Sequence, residues 1–279
     1  MLPVSDLKSA NIMRKLLFAY VIFNFLQILP AIDVLYGAEN SIIKTWNQLG
    51  YNLITLANLL SVAALKNYYM LFFIVQLFFA LLGLLGFYPR ICSFIVFFTT
   101  INLQNRIYST ISGGDSLLCL MLFFLSFISG EKKARNENPD QIQNAFNRAF
   151  IRLCKIQLVI VYSVSALCKL LSPEWLDGSA LQQILLVDEY SLPALQHLVC
   201  SMPSLFKILT WLTLLYQMLF PILIFIRRVK NYLLLTGIIF HVFIALAMGL
   251  FNFGLIMICS YAIFYDFGRK TASEERILS

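Results

Sequence analysis

Long apolar runs separated by short polar loops dominate the hydrophobic pattern of the chain. A helix that crosses about 30 Å of hydrocarbon needs about 20 predominantly apolar residues. Eight runs approach that length, at about residues 16–36, 68–88, 91–104, 115–130, 150–171, 204–226, 232–249 and 254–267. The third, fourth and eighth are short and would need protein neighbours or water at their ends. The pattern predicts an all-α polytopic membrane bundle of about eight transmembrane helices, in a single membrane domain over residues 1–279.

Basic residues are distributed unevenly between the two sets of loops that eight spans create. With a cytoplasmic N-terminus, 16 of the 21 Lys and Arg lie in cytoplasmic segments, if Arg152 and Lys155 in the first turns of the fifth helix are included. The other five are Lys44, Lys66, Arg106, Lys169 and Lys207. Loop 172–203 contains four acidic residues and no Lys or Arg. Because basic loops are retained in the cytoplasm, both termini and residues 131–149 are predicted to be cytoplasmic and 172–203 external.

Three segments outside these spans have their own interpretations. The first apolar run follows Lys8 and Arg14, as in a signal peptide, but it is long enough to span and no A-x-A-like site closes it. We therefore expect a retained first helix. The apolar stretch 51–65 is too brief to cross, and we expect it to pack at the external interface. Residues 131–147 form a polar loop that is compatible with a helix, and they are predicted to be a cytoplasmic amphipathic turn against anionic lipid.

The composition of the chain agrees with a membrane protein. Apolar residues make up 60% of the 279 residues and charged residues 13%, whereas soluble domains are about 45–50% apolar. A bilayer can cover this apolar surface, and a soluble core of this size cannot. The net charge of +7 lies in short loops between spans, where membrane insertion explains it. Membrane lipid is therefore the expected partner, and nucleic acid is not.

Six cysteines are present, and none forms the C-x-x-C pair that a membrane thiol oxidoreductase would need. Cys168 and Cys200 both fall on the predicted external side. They are either bridged or, like the other four, small packing residues.

Lys169 lies two residues from the predicted external end of the fifth span. At 100° per residue, Tyr162, Ser165 and Lys169 fall on one side of that helix and give it a polar stripe. A lysine amine that is removed from water can lose its proton and act as a base. Alternatively, the lysine extends its amine to the membrane interface and is only an anchor.

His241 lies near the middle of the seventh span, among apolar neighbours. Ionisable groups in spans are costly and are functional candidates, although a lone buried histidine is often a hydrogen-bonded core residue. His197, in the external loop, is the second of only two histidines. A multi-histidine metal or haem site is therefore not expected, and no metal is predicted.

Asp115 opens the fourth span after Ser112, and Arg106 ends the third span on the same predicted side. A carboxylate at a helix N-terminus is an ordinary N-cap. The connection between Arg106 and Asp115 is short, so we also expect an ion pair between them at the outer membrane boundary.

The order of these motifs along the chain resembles the HTTM membrane domain, the bacterial relatives of vitamin K-dependent gamma-glutamyl carboxylase. N-R-x₈-D at 105–115 is followed by K-L-x-x-x-x-W-L-D-G at 169–178 and by a histidine helix with L-F-x-x-G, at 240–254. The resemblance covers nearly all of the chain. In size, the chain is most similar to the sporulation-delaying protein B type, small HTTM proteins needed to mature a secreted peptide toxin.

This resemblance implies roles for the candidate site residues. In the carboxylase, a lysine before the W-x-x-G turn is the proposed base that deprotonates reduced vitamin K, and Lys169 corresponds to it with one more residue before Trp175. His241 matches the histidine of the helix before L-F-x-x-G. Arg106 or Tyr108 stands where the carboxylase has a histidine important to its chemistry. The sequence shows no counterpart of the luminal domain that holds the carboxylase's protein substrate.

These observations lead to three hypotheses about function. The first is a catalytic site of Lys169 and His241, supported by Arg106 and Asp115, in an external-facing cavity that acts on a reduced quinone-like cofactor or an exported peptide. The second is a non-catalytic partner in the maturation or export of such a peptide. The third, a transporter, ranks last because no inverted repeat or pair of discontinuous helices is found.

Overall fold

A computed structural model describes residues 4–37, 68–107, 111–130, 141–191 and 193–267. These ranges contain helices and connecting turns, with no β-strand. In chain order the helices are α1 (Val4–Ile28), α2 (Ile32–Tyr36), α3 (Tyr69–Leu84), α4 (Pro89–Arg106), α5 (Gly113–Leu125), α6 (Gln141–Leu170), α7 (Pro173–Asp177), α8 (Ala180–Leu185), α9 (Pro193–Ser201), α10 (Pro203–Leu223), α11 (Lys230–Ala247) and α12 (Phe251–Ser260). Short 3₁₀ turns lie at Leu29–Ala31, Asp188–Tyr190 and Tyr261–Phe264.

Each of the eight predicted spans coincides with helix, which confirms the all-α class for the described residues. By length and apolar composition, four stretches are able to cross a membrane: Asp6–Tyr36, α6, α10 and α11. The shorter apolar helices are α3, α5 and Phe251–Phe264. Eight crossings, the single domain and the cytoplasmic termini stay predictions. The segment 51–65 lies outside the described residues.

Helix α4, at the predicted third span, carries five buried polar side chains: Ser93, Thr99, Thr100, Asn102 and Asn105. Gln76 of α3 donates a hydrogen bond to the Thr100 hydroxyl at 2.8 Å. Polar groups in a membrane helix are tolerated where they face protein rather than lipid. This part of the chain is therefore held among its neighbouring helices.

The chain divides into two compact units, residues 1–152 with 266–279 and residues 153–265. In the first unit, successive helices alternate in direction. The Arg14 side chain, in the N-terminal half of α1, reaches the Leu125 carbonyl at the end of α5. At the opposite end, the carbonyl of Tyr36 in α2 accepts a hydrogen bond from Arg106 at the end of α4. Helix ends that are predicted on the same side of the membrane thus lie at the same end of this unit.

Helix α6 begins at Gln141, nine residues before the predicted start of the fifth span. No glycine or proline interrupts residues 141–170, and its 30 residues form a rod of about 45 Å. Near its start, the Asn147 side chain accepts a hydrogen bond from the Ser129 backbone N–H at 2.9 Å. Residues 141–147 of the predicted helix-compatible segment are indeed helical, and they are the first turns of the long helix rather than a loop. Residues 131–140 lie outside the described residues.

In the second unit, α11 and α12 form a tight antiparallel pair. Gly249, with φ of +67°, lies in the turn between them. A Cβ on Gly254 would lie 2.6 Å from the His241 carbonyl oxygen and 2.9 Å from the Ala245 Cβ. Glycine at 254 thus permits the close approach that places α12 beside His241. This is a physical reason for the glycine of the L-F-x-x-G motif.

Candidate functional site

Tyr162 and His241 form the buried centre of the second unit. The Tyr162 hydroxyl lies 2.7 Å from Nε2 of His241, and the two side chains are 2% and 1% exposed. Tyr162 also stacks on Phe220 of α10, with ring centroids 3.9 Å apart. Three helices therefore fix the orientation of this pair.

Two further tyrosines extend this pair into a chain of hydroxyls. Tyr162 shares a hydrogen bond with Tyr261, and the Tyr261 hydroxyl lies 3.3 Å from that of Tyr216. A side chain at position 237 would overlap the hydroxyls of Tyr216 and Tyr261, so Gly237 makes room for the cluster. Each hydroxyl can donate one proton and accept another. The arrangement is therefore able to move a proton to or from His241.

The second ring nitrogen of His241, Nδ1, is buried without a hydrogen-bond partner among the described residues. A buried polar atom of this kind calls for a water or a ligand group. The rings of Phe240 and Phe253 flank the imidazole at centroid distances of 5.1 and 5.6 Å. His241 is thus held by one ring nitrogen, while the other has no hydrogen-bond partner among the described residues.

The Lys169 amine turns back along α6, towards the middle of the predicted span. It donates a hydrogen bond to the Ser165 hydroxyl at 2.8 Å. Ser165 in turn donates to Oε1 of the buried Gln217 at 3.0 Å. A lysine that anchors a helix at the interface extends in the other direction. The polar stripe predicted from helical periodicity is confirmed, because Tyr162, Ser165 and Lys169 each contact polar groups of the same unit.

The W-L-D-G turn after α6 folds an aromatic ring over Lys169. The amine lies 4.7 Å from the centroid of the Trp175 ring, a distance at which a cation is attracted to the ring face. Gly178 ends the turn with φ of +87°, and a Cβ there would lie 2.6 Å from Cγ of Lys207. Trp211 Nε1 donates to the Leu176 carbonyl at 3.0 Å. Positive φ and close packing together explain a glycine at this position.

Two exposed carboxylates stabilise the same turn. The Ser172 hydroxyl donates to Glu174 at 2.6 Å and lowers the pKa of that carboxyl group. The Ser179 backbone N–H donates to Asp177 at 2.8 Å. Hydrogen bonding with the Ser179 side chain, and then with this N–H, lowers the pKa of Asp177. Both groups therefore stay ionised at neutral pH and hold the turn that carries Trp175.

Lys169 and His241 are connected through one face of α6 but at different levels. Seven residues separate Tyr162 from Lys169, which is about 10 Å along a helix axis. Tyr162 contacts His241, and Lys169 contacts Ser165 and Trp175. Arg106 and Asp115 belong to the first unit, and the convergence of all four residues on one cavity stays a prediction.

The predicted ion pair between Arg106 and Asp115 is wrong for the described residues, because each side chain has another partner. Arg106 is 5% exposed, and its Nε donates to the Tyr36 carbonyl at 2.6 Å. The Asp115 carboxylate accepts the backbone N–H of Ser112 at 2.8 Å. Ser112 is the N-cap of α5, and Asp115, at the third helical position, completes a capping box. Tyr108 lies outside the described residues.

Tyr216, Gln217 and Tyr261 were not predicted as site residues, because the prediction started from ionisable side chains within spans and added only polar neighbours on the same helix face. A signal was available, since a buried tyrosine hydroxyl usually needs a hydrogen-bond partner. Cys168 and Cys200 are exposed and unbridged in the structure. Among the described residues, no three His, Cys, Asp or Glu side chains cluster as a metal site.

Two curated proteins of Bacillus subtilis (strain 168) are similar to this chain. It is 25% identical to sporulation-delaying protein SdpB over 205 residues, which cover 68% of this chain and 62% of SdpB. It is 27% identical to the uncharacterized protein YitO over 188 residues, which cover 63% of this chain and 60% of YitO. The chain thus spans less than two thirds of the length of these relatives.

No family model matches the chain, and membership of the HTTM family stays a prediction. No solved structure matches it either. The apolar helices and the similarity to SdpB together support an SdpB-like membrane protein.

Proposed function

We propose that this chain is an integral protein of the cell membrane that acts in the modification or maturation of an exported peptide at the external face. Similarity to SdpB supports the link to a sporulation-delaying peptide system. The resemblance of the K-L-x-x-x-x-W-L-D-G and L-F-x-x-G segments to HTTM proteins supports the same class of function.

One observation carries the proposal: the Lys169 amine is directed into the helices of its unit and is covered by the Trp175 ring. Such placement costs free energy, because removing an ammonium group from bulk water is unfavourable. A lysine needed only as an anchor would keep its amine in water. The geometry therefore favours a lysine that contacts a substrate or a cofactor.

The groups around Lys169 and His241 suit proton transfer. Lys169 would act as the base, with Ser165 and Gln217 orienting its amine. His241 would take up or release a proton through the tyrosine chain. General acid–base groups of this kind typically accelerate a reaction by about 10²–10⁴-fold.

A quinone-dependent, carboxylase-like reaction is the more specific alternative, favoured by the position of Lys169 before the W-L-D-G turn. A bound reduced quinone would supply an acidic hydroxyl group for Lys169 to deprotonate. Trp175 offers a ring face and Lys169 a hydrogen-bonding group to such a molecule, so these residues fit it. The cation–π contact of Lys169, in contrast, stabilises the protonated amine and favours a non-catalytic partner that binds the peptide.

Deletion and complementation of the gene would test the proposal. The readout is the mass and amount of the secreted peptides encoded by neighbouring genes, measured by mass spectrometry of the culture medium. We expect deletion to abolish one mature peptide, and the Lys169→Ala chain at equal membrane abundance to fail to restore it. Unchanged secreted peptides after deletion would contradict a role in peptide maturation.

A further inference from the structure

The first unit contains a cavity of about 450 Å³ between the N-terminal half of α1, the α3–α4 turn and the residues after α5. Small-molecule sites occupy about 300–1,000 Å³, so the cavity has the size of a binding site. Three cationic side chains line it, those of Arg14, Lys15 and Arg90, and its described lining contains no Asp or Glu.

Two of these cations also have a structural role. Arg14 is 1% exposed, and its Nη2 donates to the carbonyls of Leu125 and Ile128 at 2.8 and 2.6 Å. Arg90 Nη2 donates to the Phe127 carbonyl at 3.2 Å. Both guanidinium groups thus bind carbonyl groups at the end of α5 or in the residues just after it. A helix C-terminus supplies only about half a negative charge, and the described lining of the cavity adds no carboxylate.

Hydrogen-bond donors remain available at this cavity. Arg90 Nε is buried without a hydrogen-bond partner among the described residues. Helix α4 begins at Pro89, so the backbone N–H groups of Arg90 and Ile91 belong to a first turn, where no earlier turn accepts them. A helix N-terminus favours an anion, and guanidinium groups favour the oxygens of phosphate. A Cβ on Gly86 would meet nothing within 4 Å, which leaves room for a ligand.

We propose that this cavity binds a phosphate group, carried by the headgroup of an anionic glycerophospholipid or present as free phosphate. The apolar side chains around the cavity favour the lipid. Leu85, Tyr88 and Ile91 line it and are 68%, 73% and 55% exposed, so they offer a surface to acyl chains. The cavity lies at the predicted cytoplasmic ends of these spans, where basic pockets between spans hold anionic headgroups.

Thermal unfolding of the purified chain in a neutral detergent would test this site. Phosphatidylglycerol, phosphatidylcholine and inorganic phosphate would be added separately, with chloride at matched ionic strength as the salt control. We expect phosphatidylglycerol to raise the unfolding temperature, because a ligand that binds only the folded state stabilises it. Phosphatidylcholine and chloride should leave it unchanged. An equal rise with inorganic phosphate would identify free phosphate as the source.

Charge-removing variants provide the specificity control. Lys15→Gln, at an exposed position, should weaken phosphatidylglycerol binding about fivefold, and Arg90→Gln should weaken it further. Arg228→Gln is the control, because it removes the same charge from an exposed loop that is also predicted to be cytoplasmic but lies outside the cavity. This variant should bind phosphatidylglycerol as tightly as the unchanged chain does.

An equal loss of phosphatidylglycerol affinity in Lys15→Gln and Arg228→Gln would indicate general attraction to a basic surface and would overturn the proposal. The proposal would also be overturned if neither phosphatidylglycerol nor inorganic phosphate raised the unfolding temperature. If Arg90→Gln fails to fold, Lys15→Gln still decides between these outcomes.

Discussion

The phenol oxygen of Tyr162 lies 2.7 Å from Nε2 of His241, although 79 residues separate them in the chain. The bond joins α6 to α11 in a part of the unit that is closed to solvent. Because polar groups in apolar surroundings are costly without partners, this contact fixes the register of the two helices. It also connects His241 to the hydroxyls of Tyr261 and Tyr216.

A double-mutant cycle would measure the strength of this contact. Tyr162→Phe keeps the stacking on Phe220 and removes the hydroxyl, which should cost about 1 kcal/mol of the free energy of unfolding. With His241→Leu as the second change, we expect a coupling of about 0.6 kcal/mol, the average for hydrogen bonds between membrane helices. Denaturant unfolding in detergent micelles is the measurement. Tyr232→Phe is the control, because Tyr232 is 74% exposed, and it should leave the free energy of unfolding unchanged. Additive effects of the two changes would show that the bond contributes no stability.

Lys169→Arg discriminates between a base and a charged anchor. Arginine keeps the positive charge and the length of the side chain but does not lose its proton near neutral pH. We expect normal membrane abundance and loss of mature peptide, by roughly 10²-fold or more if general base catalysis is lost. Lys169→Ala should behave in the same way.

Lys207→Arg is the matched control for Lys169→Arg, because the Lys207 amine lies over a tryptophan ring of the same unit, 5.3 Å from the Trp211 centroid. This variant should mature the peptide normally. Full activity of Lys169→Arg would reduce Lys169 to a binding or anchoring residue and would favour the non-catalytic partner.

Gly254→Ala should destabilise the second unit. The added methyl group would lie 2.6 Å from the His241 carbonyl oxygen, so α11 and α12 must move apart. Overpacking of this kind typically costs about 1–3 kcal/mol and should lower the unfolding temperature in detergent. Gly113→Ala is the control, since a Cβ there would meet nothing within 4 Å. Equal unfolding temperatures for the two variants would show that the close approach at Gly254 is not required.

Labelling of single cysteines in a cysteine-free background would test the predicted topology. Asn138→Cys should be inaccessible and Ser191→Cys accessible to a membrane-impermeant thiol reagent outside intact cells, because basic segments are retained in the cytoplasm. Permeabilised cells provide the control for reactivity at both positions. Labelling of position 138 from outside would refute the orientation.

The amino-acid sequence by itself determined the helical class and, in the described residues, the approximate positions of the helices that coincide with the eight predicted runs. Apolar transfer free energy adds up over consecutive residues, so a long run specifies a membrane helix without knowledge of its neighbours. Helical periodicity likewise placed Tyr162, Ser165 and Lys169 on one face of α6, because that property depends on spacing along a single helix.

The tertiary structure alone decided which groups these residues contact. Lys169 reaches Gln217 through Ser165, and Tyr162 meets His241 and Tyr261. These partners belong to other helices, whose register the local pattern does not contain. Asp115 shows the same limit, because a capping contact within its own helix replaced the expected pair with Arg106. A partner three residues away costs little chain entropy to reach, and the competition between near and distant partners is decided only in the folded chain.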